Sequence, residues 1–355
     1  MARASGYLKT GYSQQLVLVE TRMQWMLLAL LAAALLALPL FASFFLLDLA
    51  GQIFLAVIGA VALMLLTGIA GQVSLGHAGL LAAGALVTGI LTQEAGAPFW
   101  ITLPAATIAG ALLGLLFGLP SLRLKGLYLG ISTLALHFIV VFLGQEYETI
   151  RGFSTGISVH PPRIFGWELY DPAAWYYVLL AFDVVVVLFA LNLLRSRTGR
   201  AWRAVHERDV VAEALGVSVF RAKLSAFVIS SALTALAGAV FSYYRGFVSV
   251  EAFSLFVTIQ YVAMVIIGGL GSILGAILGA IFVTMFPYAI EAALETTGLA
   301  AALAGYVFAI NYALFGLVML AFLLFEPDGL AGIWRRLRDY FFLWPFRKTP
   351  LAGGE

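Results

Sequence analysis

The chain has 355 residues, of which 63% are hydrophobic and only 11% are charged, and its mean hydropathy is +1.02. These values exclude an ordinary soluble domain and indicate a membrane protein. The formal net charge of +2 excludes nothing by itself, and the absence of cysteine excludes disulfides and thiolate metal sites. Because the apolar runs are long and do not alternate, we predict an all-α polytopic membrane protein and not a β-barrel.

Ten apolar runs could each cross a hydrocarbon core of about 30 Å. They lie near residues 25–47, 53–70, 77–92, 99–119, 126–143, 175–194, 224–244, 255–268, 272–286 and 305–325. The polar residues 1–23 come before them. Since the first run is too long for the core of a signal peptide, we expect it to be a retained span that follows an N-terminal segment.

Two glycine-rich stretches interrupt apolar blocks that are too long for one span. The block 53–92 contains GQVSLGHAG at residues 71–79, and the block 255–286 contains GGLGS at residues 268–272. The glycines expected to break the helices are Gly71, Gly76, Gly79, Gly268, Gly269 and Gly271. We therefore predict a turn at each stretch, in a bundle of about ten transmembrane helices with two glycine-interrupted pairs of short helices.

The placement of lysine and arginine predicts the orientation. Basic residues concentrate in the N-terminal segment, at Arg123 and Lys125, between residues 195 and 223, and from residue 335 onwards, whereas the other connections are acidic or neutral. Ten crossings place every basic region on one side. We expect cytosolic termini (1–23 and the basic tail 335–355), a transmembrane domain over 24–334 and an extracytoplasmic loop over 144–174.

The segment 195–223 is predicted to form one or two short amphipathic helices on the cytosolic surface. Apolar residues such as Trp202, Val205 and Leu215 alternate there with charged ones and would be exposed without a partner, which favours docking to another protein. The candidate docking residues are Arg200, Trp202, Arg203, Glu207, Asp209, Glu213, Ala214, Leu215 and Gly216.

Polar side chains inside the apolar runs are candidates for a translocation path. Two interpretations stay open for each of them, because a buried polar group can also satisfy a broken backbone or bridge two helices. The candidates are Gln72, Ser74, His77, Ser132, Thr133, His137, Gln260 and Asn311. With the predicted bounds, Asp183 is the one acidic residue inside a span.

The sequence lacks the motifs of an enzyme. It has no GxxxxGK[ST] phosphate loop, no HExxH, no Cys/His metal spacing and no GxSxG elbow. A secondary transporter usually holds several ionisable residues within the membrane. Since this chain offers few, a subunit driven by an external energy source is favoured over a channel or a secondary transporter.

Six stretches carry a resemblance to a known family. They are TGIAGQVSLGHAGLLAAGA (67–85), SLRLKGLYLGISTLAL (121–136), RGFSTGISV (151–159), the segment 196–239, the segment 247–280 and FEPDGLAGIWRR (325–336). Together they resemble the permease subunits of ATP-binding-cassette importers for branched-chain amino acids, a family that also includes urea and short-chain amide permeases. The resemblance covers most of the chain between about residues 55 and 345 and is far more specific for the family than for the solute.

The resemblance implies a bacterial-type inner-membrane importer for branched-chain or other apolar amino acids, with urea or a short amide as the alternative. It implies a complex with two ABC ATPases, a second related permease chain or a second copy of this one, and an extracytoplasmic solute-binding protein. Docking of an ATPase near 200–216 is implied too. We expect no metal, no cofactor bound by this chain, ATP used by the partner, and no nucleic-acid partner.

Overall fold

A computed structural model describes residues 22–121, 126–153, 156–164, 167–297 and 304–343. Within these ranges the chain forms thirteen α-helices and four strands of two residues each. The basic residues Arg123 and Lys125 and the predicted N-terminal segment up to residue 21 lie outside the described residues, as does the end of the predicted tail.

The helices follow one another with short connections. They are α1 (Arg22–Phe41), α2 (Phe44–Leu63), α3 (His77–Ala95), α4 (Phe99–Ser121), α5 (Leu127–Arg151), α6 (Pro172–Arg195), α7 (Arg197–Glu207), α8 (Asp209–Ala214), α9 (Val219–Arg245), α10 (Leu255–Gly268), α11 (Ile273–Thr296), α12 (Val307–Phe325) and α13 (Gly329–Leu343). A π-helical turn, Met64–Ile69, continues α2.

Eight of the described helices are long and apolar enough to cross a membrane, and the pair Ala309–Phe325 and Gly329–Tyr340, bent by 52°, adds a ninth if it is one span. The remaining apolar helix, α10, has 14 residues. The protein is a multi-pass, all-α membrane protein, as predicted.

The boundary between the first two spans differs from the prediction. The first helix ends at Phe41, and the second begins at Phe44 after Ser43, whose hydroxyl accepts the Leu46 N–H at 3.4 Å. The sequence had suggested one span to residue 47 and another from 53, because apolar residues run across the break without a change in composition. As a consequence, Asp48 lies inside a span. The prediction that Asp183 is the one acidic residue within a span is therefore wrong.

The two glycine breaks exist, but only one of the four flanking helices is short. The first break separates the 26-residue span Phe44–Ile69 from the 19-residue helix α3. The second separates α10, with 14 residues, from α11, with 24. Gly71, Gly269 and Gly271 have φ values of 68°, 113° and 80°, which a residue with a side chain rarely adopts.

Glycines bring α3, α4 and α9 into backbone contact at the centre of the bundle. A Cβ on Gly84 would overlap the backbone of Ala235, and one on Gly238 would overlap the backbone of Leu81. Small residues on a stripe allow such close approach, and in lipid this packing is a main source of helix association.

Short strands mark one end of the bundle, which we call the strand end. The strand β1 (Ile157–Ser158) pairs antiparallel with β4 (Phe247–Val248), and β2 (Arg163–Ile164) pairs antiparallel with β3 (Trp167–Glu168). The predicted loop 144–174 is shorter than expected, because α5 extends to Arg151 and α6 begins at Pro172.

The opposite end carries α7 and α8 and is called the α7–α8 end. The connection between spans there is also shorter than the predicted 195–223, since α6 ends at Arg195 and α9 begins at Val219. The predicted tail is a helix up to Leu343, because α13 carries an apolar residue every three to four positions.

Candidate functional site

The stretch GQVSLGHAG forms an irregular segment between the π-helical turn and α3. Hydroxyl groups from three parts of the chain accept hydrogen bonds from its backbone N–H groups. Thr133 Oγ1 accepts the Leu75 N–H at 2.8 Å, Thr258 Oγ1 accepts the Ala78 N–H at 3.0 Å, and Ser74 Oγ accepts the Gly76 N–H at 3.4 Å. The hydroxyls of Ser74 and Thr133 thus have the backbone role that the sequence left open.

Gln72 and His77 are both buried, and neither is among the residues that line the cavity described below. The Gln72 amide donates to the Lys223 carbonyl oxygen near the start of α9 at 2.9 Å. His77 Nδ1 lies 3.4 Å from Thr234 Oγ1, and its ring centroid lies 4.8 Å from that of Tyr261. Each of the two side chains is thus held by a neighbouring helix, and their role in a translocation path stays a prediction.

A cavity of about 420 Å³ lies among α2, α9, α10 and α11. This volume falls within the range of small-molecule sites, roughly 300–1,000 Å³. Its polar lining residues are Gln52, Arg245, Gln260, Tyr261, Thr284, Tyr288 and Glu291. Leu55, Leu81, Phe241, Phe253, Val257, Met264 and Val283 supply most of its apolar wall. The cavity reaches the strand end, because Arg245 lies two residues before β4 and Glu291 lies in the half of α11 that is remote from the second glycine break.

A carboxylate network holds the strand end of this cavity together. Tyr244 donates its hydroxyl to Asp48 Oδ1 at 2.6 Å, and the Gln52 amide donates to Asp48 Oδ2 at 2.7 Å. The same Gln52 amide is 3.2 Å from the Tyr288 hydroxyl. Asp48 and Gln52 therefore join α2 to α9 and α11. Sequence reasoning missed them, although Ser43 as an N-cap and the spacing of four between Asp48 and Gln52 were available signals.

Tyr261 connects the cavity to the first glycine break. It lines the cavity on one side and lies against the ring of His77, the first residue of α3, on the other. A Cβ on Gly59 would be 2.8 Å from Tyr261 Cζ, so glycine at this position makes room for the tyrosine. The first glycine break therefore supports, through His77, a residue that lines the cavity.

Of the other path candidates, Gln260 lines the cavity, and Asn311 lines a second one of about 280 Å³ beside it. His137 is buried, and its Cα would lie 2.6 Å from a Cβ on Gly79, so this pair sets the approach of α3 to α5. Ser132 is half-buried on α5.

Helix α7 packs on the bundle through the residues expected to be exposed. Trp202 and Val205 are 1% and 4% exposed, and Trp202 Nε1 donates to Ser225 Oγ at 3.0 Å. The prediction that they await a partner is wrong, because the apolar face of α7 covers the start of α9. Ring atoms of His206 approach Gly71, and His206 Nδ1 lies 3.2 Å from the Ile69 carbonyl oxygen.

Other predicted docking residues are at the surface. Leu215 is 79% exposed and Val210, which the sequence reasoning did not select, is 74% exposed. Arg200, Arg203, Glu207, Glu213, Ala214 and Gly216 are exposed as well. Asp209 lies 3.7 Å from Lys223 Nζ, which ties α8 to α9. The exposed apolar residues thus concentrate on α8 and the turn after it.

The two glycine breaks touch each other at the α7–α8 end. A Cβ on Gly68 would meet the backbone nitrogen of Gly271, and one on Gly269 would meet the carbonyl oxygen of Asp328 before α13. The two turns that the sequence predicted separately are therefore parts of one structure, which also includes His206 of α7.

Comparison with known proteins identifies the family. The profile of the family described as "Branched-chain amino acid transport system / permease component" matches residues 45–323. The chain belongs to this family. The match includes the cavity, both glycine breaks and the helices α7 and α8, and it leaves out α1 and α13.

Curated relatives of this permease family are similar over most of the chain. The high-affinity branched-chain amino acid transport system permease protein LivM of Salmonella typhimurium is 36% identical over 270 residues, which cover 69% of this chain and 63% of the relative. LivM of Escherichia coli has the same identity and coverage. The probable branched-chain amino acid transport permease protein LivM of Methanocaldococcus jannaschii is 29% identical over 63% of this chain and 66% of its own length.

The matched region is thus less than two thirds of the length of these relatives. No solved structure matches the chain.

Proposed function

We propose that this chain is the membrane-spanning permease subunit of an ATP-driven importer that moves branched-chain or other apolar amino acids. Two separate ABC ATPases, a second permease chain or copy, and an extracytoplasmic binding protein complete the complex. This chain holds no nucleotide and no metal. The complex lies in an inner membrane, with the α7–α8 end and both termini in the cytosol.

One observation carries the proposal: a continuous set of contacts joins the cavity to the surface of α8. Tyr261 of the cavity touches His77, the first residue of the helix that leaves the glycine turn. The turn is held by the Gln72 bond to Lys223 and by the contact of His206 with Ile69. A force applied to α7 and α8 therefore acts on a turn one side chain away from the cavity wall.

This arrangement suits alternating access driven by a partner. An ATPase docked on Leu215, Val210 and the charged residues around them would move α7 and α8 when it closes on ATP. Because α7 is packed on α9 through Trp202, it would move as part of the bundle and displace the glycine turn. Packed elements of this kind have discrete arrangements and transmit small shifts.

Reconstitution in liposomes tests the proposal. The complete complex should transport radiolabelled leucine only under two conditions. ATP must be present on the side of the membrane that the ATPases face, and the leucine-loaded binding protein must be present on the side of the strand end. A complex whose ATPases bind but do not hydrolyse ATP is the control and should show no accumulation. Uptake by the permease alone would support a channel or secondary transporter, and preferential uptake of urea would support the amide permease; either would refute the proposal.

A further inference from the structure

Two unpaired charges of opposite sign face the cavity near the strand end. Arg245 is the last residue of α9, and Glu291 lies on α11. Both side chains line the cavity and are exposed. Among the residues that the structure describes, neither has a salt-bridge partner, and the Arg245 guanidinium lies 5.9 Å from the Phe241 ring centroid and 5.8 Å from that of Tyr244.

Asp48, on α2 near this end of the cavity, already has hydrogen-bond donors. Asp48 accepts hydrogen bonds of 2.6 Å and 2.7 Å from Tyr244 and Gln52, so it serves to hold the helices. Tyr244 directly precedes Arg245, and Tyr288, which bonds to Gln52, lies one helical turn before Glu291. The Asp48 network therefore ties to α2 the parts of α9 and α11 that carry Arg245 and Glu291. These two are the charged residues among those that line the larger cavity.

A second cavity, of about 280 Å³, opens beside Glu291. It shares Gln260, Val283, Pro287 and Glu291 with the larger one. The rest of its wall consists of Asn311 and four aromatic side chains: Phe256, Phe286, Tyr312 and Phe315. The Phe256 ring lies 4.3 Å from that of Tyr312 and 6.0 Å from that of Phe315, measured between centroids. We call this space the aromatic side cavity; its lining suits an apolar group.

We infer that Arg245 and Glu291 bind the carboxylate and the ammonium of a zwitterionic α-amino acid whose apolar side chain enters the aromatic side cavity. The inference rests on the proposed function and assigns its specificity to particular residues. Arginine binds a carboxylate through paired N–H donors, which lysine cannot reproduce. Urea and neutral amides carry no charge for either residue, so this site selects against the amide alternative.

Saturation-transfer NMR on the purified permease in nanodiscs measures this binding without the binding protein. The probes are leucine, 4-methylpentanoate, which is leucine without its ammonium, and urea. The wild-type chain should bind leucine more tightly than 4-methylpentanoate and should show no saturable signal with urea. Arg245→Gln should weaken the binding of leucine and of 4-methylpentanoate at least tenfold. Arg245→Lys should recover only part of the lost affinity.

Glu291→Gln provides the sharper test. It should weaken the binding of leucine about tenfold, which corresponds to about 1.4 kcal/mol. The affinity for 4-methylpentanoate should not change, because that probe has no ammonium group to contact Glu291. A purely structural role of Glu291 would weaken both probes equally. The matched control is Arg163→Gln, which removes a surface arginine paired with Glu168 at 2.6 Å and should change no affinity.

The outcomes separate this inference from the proposed function. If the wild-type complex imports leucine while Arg245→Gln and Glu291→Gln bind it as tightly as the wild type, the site assignment is wrong and the function stands. If the permease binds leucine with the expected variant pattern but the complex shows no ATP-driven uptake, the site stands and the proposed importer fails. Equal binding of urea and leucine would overturn the assignment.

Discussion

Replacing Gly84 with alanine tests how closely α3 and α9 pack. A Cβ at this position would be 2.6 Å from the carbonyl carbon of Ala235 and 2.7 Å from its Cα, and would overlap its carbonyl oxygen. Non-bonded carbon atoms prefer separations of about 3.5–4.0 Å. The two helices would therefore have to separate locally by roughly 1 Å. The reciprocal contact, where a Cβ on Gly238 would be 2.7 Å from the Leu81 carbonyl carbon, would open with them.

The sign of the effect follows from two opposing terms. Alanine favours a helix over glycine by about 1 kcal/mol. Overpacking a tight contact costs typically 1–3 kcal/mol or somewhat more, and backbone atoms cannot move aside as a flexible side chain can. Because lipid-embedded helices are held largely by such packing, we expect Gly84→Ala to destabilise the protein by about 1–2 kcal/mol net.

Thermal unfolding of the purified protein in one detergent provides the assay. The matched control is Gly316→Ala in α12, where a Cβ would meet nothing within 4 Å. That variant should melt at or slightly above the wild-type temperature, because only the helix-propensity gain operates. If Gly84→Ala also melts at or above the wild-type temperature, the close backbone contact is not as described and the reasoning fails.

Two further substitutions, each with a control variant, test the turn and the docking surface. Thr133→Val removes the acceptor of the Leu75 N–H and should lower the free energy of unfolding by about 1–3 kcal/mol. The control is Thr107 in α4, whose hydroxyl donates to the Leu103 carbonyl oxygen of the same helix at 2.8 Å, so that Thr107→Val should change stability by no more than about 0.5 kcal/mol. Equal melting temperatures for the two variants would contradict the role of Thr133. Leu215→Asp should leave the melting temperature unchanged and abolish retention of the ATPase in a pull-down, whereas Trp202→Ala should lower stability by about 3–5 kcal/mol. A Leu215→Asp chain that keeps the ATPase would refute docking at this surface.

Some errors in the predicted site came from single helix boundaries. The apolar run across Phe41 and Phe44 has no polar interruption except Ser43, so its break was set too late and Asp48 was read as lying between spans. The amphipathic pattern of α7 was recognised correctly. Its apolar side was assigned to a partner because a periodic pattern shows that a face exists and not which surface covers it.

The sequence by itself determined the membrane class, the helical architecture, the two glycine breaks and the short helices between α6 and α9. Each of these depends on composition or period within one segment: the length of an apolar run, a cluster of glycines, or the alternation of charge and apolar residues.

Only the tertiary structure decided which polar groups face the cavity. Gln52 and Tyr288 are 236 positions apart in the chain and meet across two helices, and Arg245 and Glu291 reach one cavity from α9 and α11. Which way Gln72 and His77 turn depends likewise on Lys223 and Tyr261 of distant helices. Helix rotation and close approach are relations between segments, set by packing at glycines such as Gly84, and no pattern within one segment contains them.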